Sequence, residues 1–191
     1  ADDGVTTAAF TVDSNASQTF VRVGPGQVFA EDFESGAEGW ETAVLGGETP
    51  WEIGTPTNVG PAAAHSGANA YGTKLDGNYG ALANITLTSP VIDLTAVERG
   101  FLKLWQFLET SANEGGQIRV LNEAGDTVIA ESEVYTGESG GWQEVSISLL
   151  RFGNTQNSIV GQKVRLEFRF LSDDNTGDDG AGWYIDDLLI E

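Results

Sequence analysis

The run Val164-Arg165-Leu166-Glu167-Phe168-Arg169-Phe170 decides the fold class, because its apolar and charged residues alternate with a period of two. Successive side chains on a strand point to opposite faces, so this segment has one dry face and one wet face. Just upstream, Val145, Ile147 and Leu149 alternate with Ser146 and Ser148 in the same way. Phe101 to Glu109 is apolar on both faces, with Leu102, Leu104 and Leu108 set against Trp105 and Phe107, which predicts a central strand. Ile118-Arg119-Val120-Leu121, Asn122-Glu123-Ala124-Gly125 and Thr127-Val128-Ile129 together read as a hairpin with its glycine at the turn. Gly182 to Ile190 is a last strand. Almost nothing reads as helix, and 25 glycines in 191 residues punctuate the chain at short intervals. About a dozen short alternating strands predict an all-β fold, a two-sheet antiparallel jelly-roll β-sandwich.

A chain of this length buries enough surface to fold as one domain, and it has no cysteine to staple it. No apolar run approaches the roughly 20 residues of a membrane-spanning helix. With 29 Asp and Glu against 9 Lys and Arg, the net charge is −20. Nucleic acid and anionic membranes both need cationic contacts, so this surface excludes them as partners and favours cations and cationic partners. The chain has neither Met nor Cys and begins Ala1-Asp2-Asp3, which reads as processing of a secreted precursor.

The expected division is an N-terminal arm over residues 1–27 and a compact domain over 28–191. The arm carries two β-like runs, Ala8 to Val12 and Gln18 to Val23, followed by a Gly24-Pro25-Gly26 break. It either docks on its own domain or donates strands to a neighbour's open sheet edge, the latter giving a homopolymer.

Several short motifs then follow in order: Glu31-Asp32-Phe33-Glu34, Gly39-Trp40, Trp51-x-x-Gly54, His65-Ser66-Gly67, Leu87 to Leu94, Gly141-Trp142 and Gly182 to Leu188. This succession resembles the MAM-like jelly rolls of bacterial surface proteins, of the gingipain-type cleaved adhesin and choice-of-anchor J kind, over about residues 28 to 191. The resemblance implies that the first and last strands lie together, often with calcium (Ca2+) between them. The matching acids are Asp32, Glu34, Asp186 and Asp187. Calcium takes six to eight oxygens, so carboxylates and carbonyls suit it. In a regular strand Asp186 and Asp187 point to opposite faces, so only one is expected to ligate through its side chain. A second acidic cluster, Asp173, Asp174, Asp178 and Asp179, reads either as another cation site or as a solvated loop.

His65 is the one histidine, and the sequence offers no nucleophile elbow and no phosphate-binding loop. No enzymatic role is therefore expected, and His65-Ser66-Gly67 reads as a turn leading into a strand. The function expected is a secreted, calcium-stabilised adhesion or structural module that forms extracellular filaments through its arm. The alternatives are a carbohydrate-binding module and an accessory domain of a larger secreted adhesin or protease, with glycans or cell-surface proteins as partners. Aromatic platforms for a sugar are sought at Trp51, Tyr71, Tyr79, Trp105 and Trp142, although each reads more readily as core, Trp105 most of all from its place in a central strand.

Overall fold

The computed structural model describes residues 26–47, 50–175 and 180–191. The two β-like runs expected of the arm lie outside them. The strands in chain order are β1 (Phe29–Glu31), β2 (Glu41–Gly46), β3 (Glu52–Gly54), β4 (Ala70–Gly72), β5 (Asn84–Thr88) and β6 (Ile92–Asp93). They continue with β7 (Phe101–Glu109), β8 (Gly115–Asn122), β9 (Val128–Tyr135), β10 (Gln143–Ser148), β11 (Lys163–Leu171) and β12 (Gly182–Ile190). Among the described residues the helical structure is one 3₁₀ turn, Gly153–Thr155.

The strands form two antiparallel sheets, the β-sandwich that the alternation predicts. One sheet runs β10-β7-β12-β4-β3, with β1 also paired to β12; the other runs β2-β5-β11-β8-β9, with β6 also on β11. The first and last described strands are neighbours, Phe29 opposite Ile190 and Glu31 opposite Leu188. The β8–β9 hairpin turns where glycine was expected: Gly125 has φ 80°, and Asn122 Oδ1 accepts from the amides of Gly125 and Asp126 at 2.9 and 3.1 Å.

The core is what lies between the sheets. Leu166, Phe168 and Phe170 of β11, Ile118 and Val120 of β8, and Leu102 and Leu104 of β7 are all fully buried. Burying each such side chain contributes about 1.5–3 kcal/mol. Trp183 of β12 sits at the centre, its ring 5.6 Å from Trp51 and 5.7 Å from Phe168. Its indole N–H donates to Gln106 Oε1 at 2.8 Å, so the polar atom it carries inward is satisfied. Gly116 faces this ring so closely that a Cβ there would lie 2.1 Å from it.

The last strand is not regular. Asp186 stands opposite Trp105, yet the next pair along is Leu189 with Lys103. One extra residue has been inserted, a β-bulge at Asp187, whose φ of 47° is left-handed. The bulge reverses the parity of the strand, so Trp183 and Ile185 point inward before it and Leu188 and Ile190 after it. It also re-aims both aspartates, which is the feature the site depends on.

Candidate functional site

On the outer face of the first sheet, three carboxylates hold one loop. Asp186 is fully buried, and its Oδ2 accepts from the backbone amides of His65 at 2.9 Å and Ser66 at 3.1 Å. Its Oδ1 accepts from the Asp187 amide at 2.8 Å. Asp187 Oδ2 lies 2.5 Å from His65 Nδ1, and its Oδ1 accepts from Ser66 Oγ at 2.8 Å. Two adjacent aspartates therefore reach the same turn, contrary to the expectation for a regular strand, because the bulge turns Asp187 round. From the β1 end, Glu34 Oε1 accepts from the amides of Ala68 at 2.8 Å and Asn69 at 2.6 Å. Gly67 has φ 58°, and a Cβ there would lie 2.3 Å from the Glu34 carboxyl carbon. Glycine is needed both for the conformation and for the carboxylate's approach.

Burial pushes the Asp186 carboxyl up to about 6, against the three amide bonds that favour its ionised form; the neighbouring Asp187 charge adds to the rise. Glu31 is buried too, and burial raises it, although it accepts from the Phe33 amide at 3.0 Å and the Trp40 indole at 3.1 Å. The His65 ring lies flat on Trp105, centroids 3.9 Å apart and 12° between planes. Trp142 meets His65 edge-on at 6.0 Å and donates its indole N–H to Ala63 O at 3.0 Å. Loop 63–69 is thus held by Trp142 at Ala63, by Asp186, Asp187 and Trp105 at His65 and Ser66, and by Glu34 at Ala68 and Asn69.

Of the four acids matched to the family pattern, Glu34, Asp186 and Asp187 converge on this loop. Asp32 stays on the exposed β1 turn, its Oδ1 accepting from the Glu34 amide at 3.1 Å. The oxygens are the hard donors calcium takes. An ionised carboxylate has about four lone-pair sites, so Glu34 and Asp187, with two bonds each, keep capacity for a cation. No group of three or more His, Asp or Glu side chains among the described residues is gathered to hold a metal ion.

No family model matches the chain. Bacillopeptidase F of Bacillus subtilis (strain 168) is 34% identical over 164 residues, 85% of this chain and 10% of that protein. The chain therefore spans about a tenth of the length of this curated relative. The K1 cleaved adhesin domain of Lys-gingipain from Porphyromonas gingivalis W83 superposes with a TM-score of 0.55 at 18% identity, covering 85% of this chain and 96% of that one. The K2 cleaved adhesin domain of Lys-gingipain gives 0.56 at 16% identity, covering 85% and 98%. The chain has the fold of the gingipain cleaved adhesins.

On this cleaved-adhesin fold the second acidic cluster is described only in part, since Asp178 and Asp179 lie outside the described residues. Asp173 is half-buried and Asp174 exposed. The Asp173 amide donates to Glu114 Oε1 at 3.0 Å, and Asp173 Oδ1 accepts from the Asn175 amide at 2.8 Å. Glu114, which belongs to no motif legible in the sequence, is buried and also accepts from Ser111 Oγ at 2.7 Å and from the Tyr79 hydroxyl.

Three of the expected sugar platforms are corrected by their burial in the cleaved-adhesin sandwich. Trp51 is 3% exposed, Tyr71 5% and Tyr79 2%. Trp51 packs on Trp183, Tyr71 on Phe33 and Tyr79 on Phe170, so their ring faces are taken by the core. Trp142 is half-exposed, and one side of Trp105 is occupied by His65.

Proposed function

We propose that this chain is a non-catalytic extracellular module that works by adhesion, as an accessory part of a longer protein. One observation carries the reading. Its one histidine and the adjacent serine are both engaged by Asp187, and the imidazole is stacked flat on Trp105. Nucleophilic catalysis needs a hydroxyl bonded to a base that a third group orients. Here the carboxylate stands between the two and uses them to fasten a loop. The likeness to cleaved adhesin domains supports the same reading at the level of fold. The test is co-sedimentation of the purified chain with chitin, cellulose and collagen-coated beads. Retention on at least one of these is expected, and free passage past all three overturns the adhesive reading.

Calcium stabilisation belongs to this proposal. Of Asp32, Glu34, Asp186 and Asp187, the ion would draw on Glu34 and Asp187, which keep free lone pairs at loop 63–69, and complete its shell with carbonyls or water. Self-assembly belongs to it as well, with residues 1–27 adding a strand to a second copy. Among the described strands β2 is the edge that suits this. It is exposed along nearly its whole length, Val44 and Leu45 are 45% and 64% exposed, and its one charge, Glu41, stands at its first residue, leaving the rest without the charges that usually protect an edge.

A further inference from the structure

The two sheets part along one side, where β9 ends the second sheet and β10 ends the first. Between them lies a cleft of about 550 Å³, whose walls include Glu133 and Tyr135 from β9, Glu144 and Ser146 from β10, and Arg151 and Asn154 from the 3₁₀ segment. Its floor is fixed. The Glu131 amide donates to Thr155 Oγ1 at 3.2 Å, and Asn157 Nδ2 donates to Ile129 O at 2.7 Å. Gly153 has φ 47° and packs so tightly that a Cβ would lie 2.4 Å from Glu131 O. Tyr135 is held against Trp183, ring centroids 6.0 Å apart.

Part of the polar lining is already paired, Gln156 Nε2 donating to Gly153 O and the Tyr135 hydroxyl meeting Ser132, but the charged groups of the cleft are not engaged with one another. Lys74, Lys103, Arg119 and Lys163 each meet a carboxylate, and Arg165 and Arg169 bond to carbonyl oxygens. Among the described residues the side chains of Arg151, Asn154, Ser146 and Glu133 make no hydrogen bond. A preformed cleft with unengaged donors and acceptors is a recognition surface. Its chemistry selects the ligand. One guanidinium and two carboxylates leave the cleft a net charge of −1 on a chain of net charge −20, which disfavours polyanions, while the guanidinium between them opposes a cationic ligand. The lining holds both donors, on Arg151 and Asn154, and acceptors, on Glu133 and Glu144, as sugar hydroxyls require, since each hydroxyl gives and accepts a hydrogen bond. An extended peptide strand is disfavoured. β9 has two register shifts against β8, and Glu131, Glu133 and Glu144 line the two edges, devices that block strand addition.

We propose that the β9–β10 cleft binds a neutral saccharide, with Arg151 and Asn154 donating to ring hydroxyls and Glu133 and Glu144 accepting from them. The volume lies within the roughly 300–1,000 Å³ of small-molecule sites. This deepens the adhesive reading and rests on it, supplying a surface and a partner class.

The test is amide chemical-shift mapping of the full chain, titrated with glucose, galactose, N-acetylglucosamine, cellobiose, maltose and chitobiose. At least one sugar is expected to move the amides of residues 133–135, 144–148 and 151–156. Arg151→Ala should weaken that sugar's binding about tenfold or more, the usual cost of a hydrogen bond to a charged group. Arg151 and Asn154 are exposed, so Arg151→Ala and Asn154→Ala should leave the melting temperature unchanged and their effects readable. Trp142→Ala should bind as the unaltered chain does. Shifts centred on Trp142 and His65 instead would overturn the cleft while sparing adhesion to glycans. No shift from any of the six sugars overturns the cleft, and the adhesive reading then stands or falls on the bead assay.

Discussion

Replacing Asp186 by asparagine should stabilise the protein at neutral pH. The carboxyl is fully buried, and burial lifts it from 3.8 to about 6. That rise of about 2 units corresponds to about 3 kcal/mol at 1.36 kcal/mol per unit. The sign follows from linkage. A carboxyl whose folded pKa is raised contributes stability that is fully present below about 3.8 and lost as pH rises through about 6. Asparagine does not titrate, and its carbonyl still accepts from the His65 and Ser66 amides. Asp186→Asn should therefore gain about 1–3 kcal/mol on the unaltered chain between pH 4 and pH 7, the lower end allowing for an Asp187 amide left facing an NH₂ group. For a chain of this size that is a rise of several degrees in melting temperature, at roughly 2–4 °C per kcal/mol. Asp186→Ala should instead destabilise, because three backbone N–H groups lose their acceptor. The assay is urea unfolding followed by tryptophan fluorescence at unit pH steps from 4 to 7, in chelator so that no cation contributes. A difference between Asp186→Asn and the unaltered chain that stays constant across that range would refute the reasoning, showing that the carboxylate is not penalised by burial.

Three further outcomes are expected. Gly116→Ala forces a methyl group onto the Trp183 ring, and overpacking of this kind costs about 1–3 kcal/mol, read as a lower urea midpoint with an unchanged slope. If calcium binds the folded chain, chelation lowers the melting temperature by several degrees, since a ligand at 100 times its dissociation constant adds about 2.7 kcal/mol. An unchanged melt removes calcium and leaves the adhesive reading intact. A chain starting at Val28, and separately Leu45→Lys in the full chain, should each abolish filaments seen by electron microscopy in calcium. Filaments surviving both would show that neither the arm nor the β2 edge is the connector.

The strands were legible wherever one face is wet, as in β10 and β11, because alternation then marks the period directly. The hairpin was legible from Asn122 and Gly125, whose chemistry sets the turn. Pairing was less so, since strand order depends on contacts between residues far apart in sequence. The bulge leaves its signal in the sequence: Trp183 and Ile185 share one parity, Leu188 and Ile190 the other, and only an inserted residue lets all four face the core. The aromatic platforms failed for a plain reason. A ring's identity does not say which face of a sheet it lies on, and Tyr71, flanked by Ala70 and Gly72, sits where neighbours pack closely. The β9–β10 cleft was illegible, because Glu133, Glu144 and Asn154 each read as ordinary surface until the fold brings them to one place.

The pairing of β1 with β12 has a mechanical consequence. Phe29 lies opposite Ile190, so the described chain enters and leaves this sheet side by side. A pull on both ends loads the pairing as a zipper, opening at Phe29 first and at Glu31 last, rather than shearing all its bonds together. Bonds broken one at a time give way at low force, and β1 has only three residues. Tension then falls on Glu34 and its grip on the amides of Ala68 and Asn69. A module tethered at both ends would lengthen first at β1 while the sandwich behind it held, taking up slack before the core is strained.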